Sequence, residues 1–278
     1  MSTSTLAPSA VDPGHRTPTR LHLAGLLPDP TMLRLEARRV LRDPITLLFT
    51  VALPGFMFLV FGSSQDYAGD AVGNGNVAMA IMIAMAGYGA VTATVGLGAS
   101  AAVERSHGWG RQLGMTPQRD IGYAAVKASL AVLVALLPAL VVFALGLLTG
   151  AEGAVRAWAL SFVVVAAGAV VFALYGLCFG LRFPSEGAAT AASLSVVLLS
   201  FLGNIFFPLS GALLTIAKFT PLYGYVALAR YPLTEGWVIT GGDLVHESLW
   251  VPLTNVVAWT AVLAVAATLL VRRSRARQ

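Results

Sequence analysis

The sequence predicts an all-α integral membrane protein. Six transmembrane helices are expected, with an N-terminal amphipathic interfacial helix and a short re-entrant or interfacial segment between helices five and six. Three observations predict this. First, 57% of the 278 residues are hydrophobic and only 11% are charged, with a mean hydropathy of +0.77. A soluble domain carries charge on about a quarter of its residues, so this density cannot cover a water-facing surface. Second, six stretches have the length and apolarity to cross a hydrocarbon core about 30 Å thick. They are Ile45–Gly62, Val77–Val103, Tyr123–Thr149, Ala157–Leu181, Ala188–Phe207 and Leu249–Val271. Third, with the N-terminus inside, 15 of the 18 lysines and arginines fall on the cytoplasmic side. Only Arg156, Lys218 and Arg230 remain outside. That asymmetry satisfies the positive-inside rule and places both termini in the cytoplasm of a multi-pass plasma-membrane protein.

Taken in order, residues 1–30 are rich in Ser, Thr and Pro and read as a disordered cytoplasmic tail. The apolar patch "LHLAGLL" is too short for the core of a signal peptide. Residues 31–278 read as one transmembrane domain. It opens with "MLRLEARRVLRDP", which sets Leu33, Ala37, Val40 and Leu41 on one helical face and Arg34, Arg38 and Arg42 on another. Such a helix lies in the membrane interface, its arginines toward anionic headgroups or a protein. Pro44 marks the junction with the first span, and Pro54 predicts a kink within it. Between spans two and three lies "ERSHGWGRQLGMTP", the longest cytoplasmic loop between spans. Its charges would each cost about 2.5–3.5 kcal/mol at mid-membrane, so it belongs in water. Lys127, near the start of the third span, can snorkel to the interface. In the fourth span Gly168, Gly176 and Gly180 share a face and form a small-residue helix-packing seam; Gly146 and Gly150 match the pattern too. The "GYG" and "GLG" triplets between residues 87 and 98 also read as close packing. After span five, "PLSGALLTIAKFTPLYGYVALARYPL" is cut into pieces too short to span. Its Tyr223, Tyr225 and Tyr231 fit an aromatic belt at headgroup level.

Motifs for chemistry are missing. No G-x-x-x-x-G-K-[ST] is present to cradle nucleotide phosphates, and no C-x-x-C, H-E-x-x-H or G-x-S-x-G occurs. No metal site, catalytic residue or cofactor is therefore expected in the chain. Asp66 and Asp70 have the spacing of a metal-diphosphate pair, but they stand alone in a Gly/Asn-rich outer loop. Cys178 is the single cysteine and can form no intrachain disulfide. The net charge of +5 sits beside apolar spans, which makes it an orientation signal and not a nucleic-acid surface. No Asp, Glu or His lies deep in any span, which argues against coupling to an ion gradient and for energy supplied by a partner.

These segments together resemble the membrane subunit of ABC-2-type transporters, the permease of bacterial drug and polysaccharide exporters. The match runs over roughly residues 30 to 278. It rests on "RLEARRVLRDP" before a span, the six-span layout, and two stretches with family patterns. "ERSHGWGRQLGMTP" is similar to E-R-x-x-G-x-x-(R)-x-L-x-x-T-P, and "FFPLSGALLTIAKFTPLYGYVALAR" to the stretch after span five. The resemblance implies that Glu104, Arg105, Arg111, Leu113, Thr116 and Pro117 contact an ABC ATPase as a coupling element. Arg34, Arg38 and Arg42 would flank that contact. It further implies a second permease subunit, in a homodimer, membrane lipids as surroundings, and ATP and Mg held only on the partner ATPase. The cargo, hydrophobic or amphipathic, would pass through a cavity lined by spans one, two and five, as in drug efflux or antibiotic resistance. Two departures stand out. Gly110 and Gly114 lower helix propensity in the loop by about 1 kcal/mol each, and the family's Leu-Pro pair after span five is replaced by Gly211–Leu214. The residues alone also suit another class, a membrane-integral scaffold or sensor whose loop docks a cytoplasmic regulatory protein. No motif names a cargo.

Overall fold

The computed structural model describes residues 30–104, 120–183, 187–240 and 243–275. Helix α1 (Pro30–Leu41) buries no residue fully and lies against the start of α4 (Asp120–Leu148). The contact is an ion pair, Lys127 Nζ donating to Glu36 Oε1 at 2.8 Å, with the side chains only 12% and 17% exposed. Lys127 therefore does not snorkel freely. Its ammonium finds a carboxylate on the interfacial helix and ties that helix to the bundle.

The chain then turns at Asp43 into α2 (Pro44–Ser63). Asp43 Oδ1 accepts from the Ile45 and Thr46 amides at 3.1 Å, and Oδ2 accepts from the Thr46 hydroxyl at 2.6 Å. These bonds satisfy first-turn amides that a helix start leaves open. The Thr46 hydroxyl is the largest cause holding the Asp43 carboxyl below its ordinary range. Helix α2 is not uniform: wide turns with i→i+5 bonds at Leu48–Ala52 and Leu59–Ser63 flank the segment containing Pro54. Pro54 offers no amide and crowds the preceding turn, and a widened turn is one way a membrane helix absorbs that.

Helix α3 (Val77–Glu104) is the hub, with 78% of its apolar window buried inside the protein. Its closest neighbour is α5 (Val155–Arg182), and the two backbones touch. A side chain at Gly176 would collide with the Val95 carbonyl, one at Gly180 with that of Ala99, and one at Gly98 with that of Ala173. Thr94, fully buried, donates across the seam to the Ala169 carbonyl at 2.9 Å. Gly168 belongs to a different contact, since the Tyr225 ring fills the space a side chain would need there.

The fifth span, α6 (Gly187–Leu202), is shorter than Ala188–Phe207. Asn204 adopts φ 55°, which ends the helix, and its side chain accepts from the Leu209 amide at 2.9 Å. A 16-residue helix rises about 24 Å, most of the thickness of a hydrocarbon core. Its end meets Arg230, whose Nη1 donates to the Asn204 carbonyl at 2.9 Å and whose Nε donates to Ala80, near the start of α3, at 3.1 Å. The guanidinium thus satisfies a carbonyl left open by the helix break.

After the break, α7 (Gly211–Ala217) and α8 (Pro221–Thr234) meet at a bend of 92°. Their turn is held by α9 (Trp250–Arg275): Asn255 Nδ2 donates to the Lys218 carbonyl at 2.7 Å and Trp259 Nε1 to that of Phe219 at 2.9 Å. These partners lie about one and a half and two and a half turns inside α9, so the bend dips below the rim and α8 climbs back to it. Tyr223 and Tyr225 are accordingly not belt residues. Both are buried: Tyr223 donates to Glu247 Oε2 at 2.9 Å, and Tyr225 to the Val165 carbonyl at 2.8 Å. Glu247 also pairs with Lys218 at 2.8 Å. A phenol sinks into a bundle when its hydroxyl finds an acceptor there.

Among the described residues two short antiparallel strand pairs decorate the rim, β1 (Ala71–Val72) with β2 (Gly75–Asn76), and β3 (Trp237–Thr240) with β4 (Asp243–His246). Asn76 knits the rim loops together. It donates to the Gly150 carbonyl at 2.8 Å and accepts from the Met79 and Glu152 amides at 3.0 Å.

Two outcomes follow from these contacts. Gly176→Leu must part α3 from α5, and overpacking of this kind costs about 1–3 kcal/mol or more; thermal unfolding in detergent should fall well below wild type, whereas an unchanged midpoint would mean the seam is loose. The Asp43 contribution is present above the unfolded carboxyl value, near pH 4, and is lost as pH falls through its lower folded value. The stability gap between wild type and Asp43→Asn should therefore be constant at neutral pH and close in strong acid. A gap independent of pH would contradict the cap.

Candidate functional site

A cleft of about 1390 Å³ opens between α2, α3 and α6, with α1 and Lys127 of α4 at one end. The α2 wall is a stripe at every fourth residue, Ile45, Phe49, Leu53, Met57 and Phe61. In a regular α-helix such a stripe would drift about 40° per step and leave the wall within four steps. The two wide turns of α2 each accommodate an extra residue per turn and hold the stripe in line. Wide turns of this kind are frequent at functional sites.

Polarity changes along the cleft. At the α1 end stand Glu36, Arg39, Arg42, Asp43 and Lys127, followed by the hydroxyls of Thr46, Ser100, Thr190 and Ser193. At the far end stand Met57, Phe61, Tyr88 and the cluster Phe201, Phe206 and Phe207. Phe206 packs edge-on to Tyr88 at 5.6 Å and tilted against Phe201 at 5.1 Å, so the far end is a built aromatic wall. Midway, Gly96 faces the cleft with nothing within 4 Å of where a Cβ would stand. Gly98, two residues on, is jammed against α5. The "GLG" triplet thus holds two different glycines, one for packing and one that leaves room.

The sequence-designated residues distribute unevenly. Arg34 and Arg38 are exposed on α1, and Arg42 lines the cleft at the α1–α2 junction. Glu104 is the last residue of α3, while Arg105, Arg111, Leu113, Thr116 and Pro117 lie outside the described residues. Asp66 opens a short 3₁₀ turn, and among the described residues no group of three or more His, Cys, Asp or Glu could hold a metal. Sequence reasoning missed Gly96, the Glu36–Lys127 tie and the α2 stripe. The stripe alone had a signal, five apolar residues at a strict spacing of four, but without the wide turns that spacing points to no single face.

Gly96→Ala tests the open face directly. The new methyl meets no neighbour, and the residue gains helix propensity of about 1 kcal/mol. A thermal midpoint at or above that of wild type is expected, and a clear drop would mean the space is filled.

No curated protein matches the chain. The model of the ABC-2 type transporter family matches residues 30–233, which takes in α1 and every helix that lines the cleft. That match covers well over half of the sequence and coincides with the elements that build the site, so the chain belongs to the ABC-2 type transporter family.

Proposed function

We propose that this protein is the permease subunit of an ATP-driven exporter that moves a hydrophobic or amphipathic compound (a drug, an antibiotic or a lipid-like molecule) out across the plasma membrane. Family membership implies transmembrane transport with an ATPase partner and a membrane subunit that lacks the nucleotide-binding domain. The observation that carries the export reading is the cleft itself: a large void walled by α2, α3 and α6, apolar over most of its length and charged at one end. A scaffold or sensor has no need of such a void.

The charged end of the cleft is the cytoplasmic end in this reading, with both termini in the cytoplasm. Helices α3 and α4 flank residues 105–119 on that same side. The loop residues Glu104, Arg105, Arg111, Leu113, Thr116 and Pro117 receive the force of the ATPase, and Arg34, Arg38 and Arg42 on α1 flank the contact. The Glu36–Lys127 tie then links α1 to the α4 end of the loop, so the two move together. Two copies of the chain complete the pathway, their clefts facing each other. ATP drives the cycle only by binding one arrangement of the assembly better than the other. The seam of α3 and α5 moves as a block, and α2 and α6 shift against it to close or open the cleft.

The test is co-purification. The tagged full chain, extracted from its own membranes in mild detergent, should bring a P-loop ATPase in near-equal amount. Replacing Arg111 and Leu113 by Asp should remove that ATPase and leave the permease folded. A preparation free of ATPase from cells that express one would overturn the reading in favour of the scaffold.

A further inference from the structure

We propose that the cleft of a single chain seats one elongated anionic amphiphile, head toward α1 and chain past Gly96 to the aromatic end, and that residue 96 sets which cargo fits. The proposal rests on the export reading and gives its substrate a chemistry and a pose.

The argument starts from the charged end. Two carboxylates and three cations line it. Both carboxylates are engaged: Glu36 on Lys127 at 2.8 Å, and Asp43 on the Thr46 hydroxyl and two amides. Arg42 is exposed there and carries its charge into the opening. A guanidinium presents paired donors that suit phosphate or carboxylate. Next along the cleft come the hydroxyls of Ser100, Thr190 and Ser193, which suit the polar shoulder of a headgroup. From there on the α2 stripe offers only apolar side chains, and the aromatic wall of Tyr88, Phe201 and Phe206 closes the far end. A polar molecule would leave this half unsatisfied, and a wholly apolar one would waste the other.

Gly96 lies where the two halves meet. On the same helix Val95 and Ala99 are spent on packing with α5, while Thr92, Ala93, Leu97 and Ser100 line the cleft beside Gly96. Open space at a helical glycine that packs against nothing is costly for the helix and makes sense if something else occupies it. A chain lying along α2 would pass directly over this position, and a side chain at 96 would narrow the passage from the α3 wall.

The experiment uses the full chain in nanodiscs with whatever ATPase it brings. The probe is phosphatidylglycerol with a photoreactive diazirine at the end of one acyl chain, compared with phosphatidylcholine carrying the same diazirine. Illumination should label α2 near Met57 and Phe61 and the segment 201–207. Gly96→Phe should cut that labelling at least tenfold, Leu147→Phe, exposed and outside the cleft, should leave it within about twofold, and Arg42→Gln should lower capture of the glycerol lipid several-fold but not that of the choline lipid. Ser193→Phe, narrowing the cleft from α6, repeats the block should Gly96→Phe fail to fold. Unchanged labelling in a folded blocking variant overturns the proposal, and equal capture of both lipids overturns its anionic head. An ATPase present with no labelling leaves the permease standing without this cargo; labelling without any ATPase removes the export reading but keeps the site.

Discussion

The contact on which the rest of this bundle depends is the direct touch of α3 and α5. In lipid, no hydrophobic force draws helices together, so association comes from packing and from bonds between backbones. Here Gly98, Gly176 and Gly180 bring carbonyls of one helix into the space of the other's missing side chains, and Thr94 adds a hydrogen bond across the join. With that pair fixed, the remaining helices have set positions: Tyr225 of α8 fills the gap at Gly168, and α2 crosses α3 where Thr50 and Pro54 meet Gly89. The face of α3 turned away from α5 is what remains for the cleft.

A bundle built on so close a seam can be rigid on one side and adjustable on the other. The α2 side carries two widened turns, a proline and a row of partly exposed aromatic and aliphatic residues. Against α3, α2 makes one such close approach, at Gly89, where α5 makes three, at Gly98, Gly176 and Gly180. The rim that carries the hairpins is different again, since Asn76 and Arg230 tie loops and helix ends together through satisfied backbone groups. At the end of the cleft nearest α1, the ties among the described residues include the Glu36–Lys127 ion pair and the Asp43 cap.

Most of this architecture was legible in the sequence because hydropathy and glycine spacing act locally. The spans and the bent segment after α6 follow from run length and from Pro and Gly breaks. What escaped depended on partners far away in the chain. Tyr223 and Tyr225 look like belt residues until Glu247 and the Val165 carbonyl supply their acceptors. The end of α6 at Leu202 needs Asn204 in a left-handed conformation and Arg230 from α8, neither of which an apolar run announces. Gly96 and Gly98 are chemically identical, and only the position of α5 separates the one that packs from the one that leaves space. Arg42 was visible as part of a basic face, yet its place at the opening follows from the capped turn at Asp43.

In the proposed cycle α3 and α5 move as one body while α2 and α6 shift across the cleft. Electron-spin distance measurements on paired labels test it most directly, with Phe49 and Leu194 reporting across the cleft, and Ser100 on α3 with Phe183 at the end of α5 reporting on the spacing of those two helices. In the complex with its ATPase, adding a non-hydrolysable ATP analogue should change the Phe49–Leu194 distribution by several ångströms and leave Ser100–Phe183 where it was. A cleft distance that ignores nucleotide, or a seam distance that changes as much as the cleft, would contradict the account.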